Sequence, residues 1–170
     1  MDREVVLVSA CLAGQPCRYD SRARPDDSVV EEVRAGRALP ACAEQLGGLP
    51  TPRPAAEIVG GDGHDVLDGE ARVVTIDGED VTGPFIAGAK IVADLAAEHG
   101  LTRAILQARS PSCGYGMIYD GTHTGELVEG DGVVAAMLKR QGVSITTIRG
   151  RSEAPRQRSS DTPSTSSSSL

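Results

Sequence analysis

Three of the four cysteines in this chain stand far apart in sequence: Cys11 in VSACLAGQPC, Cys42 in ALPACAEQL and Cys113 in RSPSCGYGMIYDG. Pro111, Gly114 and Gly116 mark the surroundings of Cys113 as a turn, and LAGQPC after Cys11 reads as a loop, so both thiols look presented rather than packed. Taken singly, a cysteine at a strand end is usually a small buried hydrophobe. As a group, and in a chain expected to sit in a reducing compartment, they point to metal binding or catalysis rather than disulfides. Glu44 follows Cys42 by two residues. A buried carboxylate there is costly without a task or a partner; the plainer reading is a helix-start acid before a short turn.

Three chemistries suit such thiols. Zinc would take Cys11, Cys17, Cys42 and Cys113 as a closed tetrahedron, but structural zinc sites usually come as paired C-x2-4-C knuckles, and the nearest pair here is C-x5-C. An iron–sulfur cluster tolerates dispersed ligands better. Held by three thiolates, a four-iron cluster leaves one iron open as a Lewis acid on which soft sulfur can bind. A redox thiol pair is the weakest option without C-x-x-C.

The elements that must position these thiols are legible in the apolar pattern. EVVLVSA (4–10), RALPACA (37–43), RAILQA (103–108) and VSITTI (143–148) read as buried strands with apolar residues on both faces. Helices are expected between them: VVEEVRAG after Asp26-Asp27-Ser28, stopped by Gly36; the run from Pro84 to Gly100; and Asp131 to Gly142. Alternating strands and helices imply an α/β fold, a Rossmann-like open parallel sheet with helices on both faces in a single domain. The stretch GGDGHDVLDGEARVVTIDGEDVTG, with strand-like VVTI, reads as an inserted hairpin or long loop. Cys11, Cys42 and Cys113 then sit at or just past the carboxyl ends of three strands, the edge at which open α/β sheets bind ligands. If those strands are neighbours, the sulfurs converge.

Composition narrows the function. The chain has 170 residues and a net charge of −7, with 24 acids against 17 bases, which argues against a general nucleic-acid-binding surface. No run of 18 apolar residues occurs, and MDREVVLV runs from charges directly into a strand, so a cytoplasmic protein without a membrane span is expected. The last twenty residues, rich in Ser, Thr, Pro and Arg, cannot bury enough surface to order themselves, so residues 1–150 are read as the domain and 151–170 as a disordered tail. The tail's three Arg and two acids leave the domain at a net −8.

The strings VSACLAGQPCRYD, CAEQLGGLPTPRPAAEIVGG, VTGPF, ARSPSCGYGMIYDGTHTGEL and GDGVVAAMLKRQG, in this order over nearly all of residues 4–148, resemble a bacterial family of thiouracil desulfidases of the TudS type. The resemblance implies a [4Fe-4S] cluster held by only three cysteines, Cys11, Cys42 and Cys113, whose fourth iron binds the sulfur of a thiolated pyrimidine. It implies hydrolysis to uracil and sulfide without net redox chemistry, with Glu44 and Ser110 as the catalytic pair. Cys17 is taken as a non-ligand, because a related branch carries an apolar residue there. Two positions depart from the family pattern: Ala43 stands where proline is usual, loosening the turn between ligand and acid, and Gln107 where lysine is expected, with a bearing on substrate preference. The rival readings are a desulfidase acting on thiouridine in tRNA and a non-enzymatic iron–sulfur or zinc sensor.

The remaining motifs have modest readings. In GGLPTPRP the prolines 50, 52 and 54 set an extended path, and Arg53 either anchors a substrate carbonyl or pairs with an acid, the second being the stronger. Tyr19-Asp20 and Tyr119-Asp120-Gly121 are expected to wall a pocket for a planar base. His64, His99 and His123 are expected to be solvated.

Overall fold

Val6–Ser9 (β1) has no polar break before its last residue, and all four of its residues are buried, as a central parallel strand requires. The computed structural model describes residues 5–150. After β1 come helix α1 (Asp27–Arg34), β2 (Ala38–Ala41), the short helix α2 (Ala43–Leu46), β3 (Ala56–Val59), α3 (Gly63–Leu67) and β4 (Arg72–Thr75). The long helix α4 (Thr82–Glu98), β5 (Arg103–Gln107), β6 (Met117–Tyr119), β7 (Leu127–Glu129), α5 (Val133–Arg140) and β8 (Ser144–Ile148) complete the order. The tail, 151–170, lies outside the described residues, as do residues 1–4, of which Glu4 begins the first expected strand.

Four strands form one sheet in the order β2-β1-β5-β8, every pair parallel. The pleat sends alternate side chains to opposite faces. Leu7, Ala104 and Leu106 join the larger core with Phe85, Val92 and Ala96 of α4 and Val134 and Leu138 of α5. Val6 and Val8 point the other way, onto Val29 of α1. Helices therefore cover both faces, and the α/β expectation holds. Phe85, the one phenylalanine, is 2% exposed; burying such a side chain contributes about 1.5–3 kcal/mol.

Local signals explain the helix limits. Asp26 caps α1, its carboxylate accepting from the backbone N–H groups of Ser28 and Val29. Gly100, with φ +65°, follows the end of α4 in the left-handed conformation that glycine adopts cheaply. Inside α4 a different glycine matters. A Cβ on Gly88 would run into the Ala43 carbonyl, and one on Gly47 into the Pro84 carbonyl, so α2 and α4 meet backbone to backbone. That contact seats the segment carrying Cys42 and Glu44.

Three features depart from the expectation. β2 and β8 are sheet edges and only partly buried, because each has a single neighbour and Thr146 and Thr147 face partly outward. The middle segment is neither a plain hairpin nor a loop: β3 and β4 pair antiparallel around α3. A second antiparallel pair, β6 and β7, follows the Cys113 turn, where three-residue strands are too short to show a period of two.

Candidate active site

β1, β2 and β5 are adjacent, so their carboxyl ends share one edge. Cys11 lies in the 3-10 turn Ala10–Ala13 directly after β1. Cys42 directly follows the strand β2 and stands at the N-cap of α2, which places Glu44 in the first turn of that helix. Cys113 lies in a turn beyond β5 closed by a Gly114 N–H to Ser110 carbonyl bond of 2.9 Å. All three thiols, with Glu44 and Ser110, line one cavity of about 320 Å³. The convergence expected from strand ends is present.

The turn carrying Cys113 is held from two sides. Ser110 Oγ accepts the backbone N–H groups of Ser112 (3.1 Å) and Cys113 (2.7 Å). From the other side, Val133 N and Val134 N at the start of α5 donate to the carbonyls of Pro111 and Ser112, both at 2.8 Å. Gly132 makes this approach possible, since a Cβ there would strike the Ser112 backbone.

Cys17, set apart in the sequence reading, lies within the same group. It is 2% exposed, lines the cavity and hydrogen-bonds through its side chain with both Cys11 and Cys42. Its thiol is pushed up to about 12, first by the bond to Cys11, then by burial, against a lowering contribution from Cys42. Cys42 is raised further, first by its bond to Cys17 and then by burial. Burial pushes Cys113 up to about 11, partly offset by hydrogen bonds from Ser9 and Ser112. Each thiolate makes the next harder to form. A cationic sulfur-seeking group removes that conflict, because it requires thiolates and supplies the charge that stabilises them. The donor set therefore fits an iron–sulfur cluster, with Cys11, Cys42 and Cys113 the three that descend from adjacent strands.

Glu44 is not a free helix-start acid. Arg53 grips its Oε1, with Nη2 at 2.7 Å and Nε at 2.9 Å, and Ser112 Oγ donates to Oε2 at 3.1 Å. Arg53 also donates to the carbonyls of Pro50 and Cys17, both at 3.0 Å, and to Thr51 Oγ1 at 2.9 Å. The pairing role weighed for Arg53 is the one observed. The loop itself contains a cis Thr51–Pro52 bond rather than running extended throughout.

The two departures from the family pattern also find places. Ala43 is the first residue of α2, a position suited to proline or alanine alike, and its carbonyl packs on Gly88. Gln107 is buried at the end of β5; its Oε1 accepts from Cys11 Sγ at 3.7 Å and its Nε2 donates to the Arg149 carbonyl at 3.0 Å. Tyr19 and Tyr119 both line the cavity, as expected.

The histidine expectation needs correction. His99 is exposed at the end of α4, but His64 Nε2 lies 2.9 Å from the buried Asp131 carboxylate. His123 lines the cavity with its Nε2 buried and unpartnered, and its Nδ1 lies 3.8 Å from Glu57, a buried acid supplied by β3. Turn-like sequence around both residues conceals contacts made by acids distant in sequence, Asp131 and Glu57. Sequence reasoning also missed Ser112, whose one signal was its place beside Cys113 in SPSCG.

A parallel α/β sheet with four thiols and a held carboxylate at one cavity defines a metal-binding α/β protein of the enzyme type. A family model described as 2-thiouracil desulfurase matches residues 6–149, and the chain belongs to that family. It is 45% identical to the uncharacterized protein YbbK of Bacillus subtilis (strain 168) over 141 residues, 83% of this chain and 93% of that protein. Among solved structures it is similar to the [4Fe-4S]-dependent thiouracil desulfidase TudS, with 40% identity and a TM-score of 0.75 over 85% of this chain and 91% of that one. The resemblance carried by SACL, GGLPTPR and SPSCG pointed to this family.

Proposed function

We propose that the chain is a [4Fe-4S]-dependent thiouracil desulfidase that converts a thiolated pyrimidine to uracil and sulfide. The carrying observation is the meeting of Cys11, Cys42 and Cys113 with Glu44 at one cavity on the carboxyl edge of the sheet. Cys11, Cys42 and Cys113 hold the cluster. When bound, the cluster supplies an open iron that draws electron density from the thione sulfur, a contribution on the order of several kcal/mol.

The chain's own residues do the rest. Glu44 takes a proton from the attacking water as the carbon–oxygen bond forms, general-base help typically worth about 100- to 10,000-fold. The carbon–sulfur bond then breaks, both protons of the water leave with the sulfur as hydrogen sulfide, one of them by way of Glu44, and no electron is gained or lost overall. Arg53 keeps the carboxylate aimed, and Ser110, whose oxygen already accepts two N–H groups, has only its O–H left to donate. Tyr19 and Tyr119 offer flat faces to the base.

The net −8 of the domain supports a small-molecule substrate rather than tRNA. Four free cysteines suit a reducing cytoplasm, and no helix among the described residues is long and apolar enough to cross a membrane. Anaerobic reconstitution with iron and sulfide, followed by iron counting and sulfide assay on 2-thiouracil and 4-thiouracil, tests the reading. Four irons per chain with sulfide release are expected. A loaded cluster that releases none from either base returns the protein to the class of sensors.

A further inference from the structure

We propose that Ser112 is the positioning residue for Glu44, and that Ser110 reaches Glu44 only through it. The inference rests on the reading of Glu44 as the general base. Ser112 is 4% exposed, and its Oγ lies 3.1 Å from Glu44 Oε2 and 3.3 Å from Ser110 Oγ. Arg53 fixes the other carboxylate oxygen, so Ser112 decides how Oε2, the one not held by a cation, is directed.

The direction of the chain of hydroxyls follows from donor counting. Both lone pairs of Ser110 Oγ are taken by the N–H groups of Ser112 and Cys113, so Ser110 can only donate. Ser112 donates to Glu44 and therefore accepts from Ser110. The order Ser110 to Ser112 to Glu44 is the arrangement that satisfies all three groups. Removing the Ser112 hydroxyl does not release the turn, because its N–H still reaches Ser110 Oγ and its carbonyl still accepts from Val134 N at 2.8 Å. The remaining neighbour is Cys113 Sγ at 3.8 Å, so iron retention has to be measured with every variant.

The test is a cycle of Ser112→Ala, Glu44→Gln and the double variant, with Ser112→Thr as the conservative control. Each is reconstituted anaerobically, matched for iron per chain and cluster absorbance, and assayed for kcat, KM and equilibrium binding of thiouracil. Ser112→Ala is expected to keep iron and binding and to lower kcat about 10- to 100-fold with little change in KM, the usual scale for a group that orients another. Ser112→Thr restores most of the rate, and Ser112→Ala costs nothing further once Glu44 is Gln. Additive losses in the double variant, wild-type turnover in Ser112→Ala, or iron lost from both Ser112 variants would each overturn the proposal. If Glu44→Gln itself turns over normally, it is the general-base reading that falls, and the Ser112→Ala rate then reports on Ser112 alone.

Discussion

Arg53 and Glu44 form an ion pair at 2.7 Å whose side chains are 5% and 16% exposed, linking the proline-rich loop to the first turn of α2. The same guanidinium ties down the carbonyls of Pro50 and Cys17. Breaking one side of a buried pair typically costs about 3–5 kcal/mol. Arg53→Met should lower the denaturation midpoint of the metal-free protein and the turnover of the loaded one together. Arg53→Lys keeps the charge but loses the two-pronged grip, so it should recover stability better than rate. A Met variant with unchanged midpoint and rate would show that Glu44 is held without Arg53.

Cys11→Ala, Cys42→Ala and Cys113→Ala should each abolish iron retention after reconstitution, since two thiolates do not hold a cluster. Cys17→Ala should keep iron and colour. The structure gives this comparison weight, because Cys17 stands within the thiol group and is bonded to two of the proposed ligands. Iron analysis and visible absorbance decide it; loss of the cluster from Cys17→Ala alone would redraw the ligand set.

Glu44→Gln and Ser110→Ala should fail in different ways. Glu44→Gln keeps size and one oxygen for Arg53 to grip but removes the proton acceptor, so iron and thiouracil binding persist while the rate falls about 100- to 10,000-fold. Ser110→Ala removes the acceptor of two backbone N–H groups in the Cys113 turn. It should therefore lose iron as well as rate. Equal iron in both variants would show that the Cys113 turn holds without the Ser110 hydroxyl.

Gly88→Ala should act at a distance. The new Cβ meets the Ala43 carbonyl, so α2 has to shift and takes Cys42 and Glu44 with it. Overpacking of this kind typically costs about 1–3 kcal/mol. A lower melting temperature together with weaker iron retention is expected; a lower melting temperature alone would separate the helix contact from the site.

The metal-free protein should weaken in alkali. Cys113 and Cys17 rise from 9.0 to about 11 and about 12 on folding, so between those values the unfolded chain releases protons that the folded one keeps. Stability is thus full below pH 9 and falls as pH rises through 11. Denaturant midpoints across that range measure the slope, and Cys17→Ala should flatten it. An identical slope in that variant would assign the loss to other groups.

Much of this architecture is written locally. The runs around Val6–Ser9 and Arg103–Gln107, the Asp26 cap and the glycine after α4 are short-range signals, and each led to the element observed. The β6–β7 pair and α3 were not legible, because elements of three and five residues carry too little periodicity to stand out. At the site, Cys11, Cys42, Cys113, Glu44 and Ser110 were recognised by type, strand end and family resemblance.

By itself the sequence determined that three thiols would lie at strand ends, since chain order and hydrophobic pattern suffice for that. Which strands are neighbours was decided by the β2-β1-β5-β8 pairing, a choice made by long-range burial on both faces of the sheet. The tertiary structure also decided what Glu44 is. Arg53 lies in a loop nine residues on and Ser112 sixty-eight residues away, and a carboxylate's partners are set by Coulomb and hydrogen-bond distances in space, which no local pattern of residues encodes.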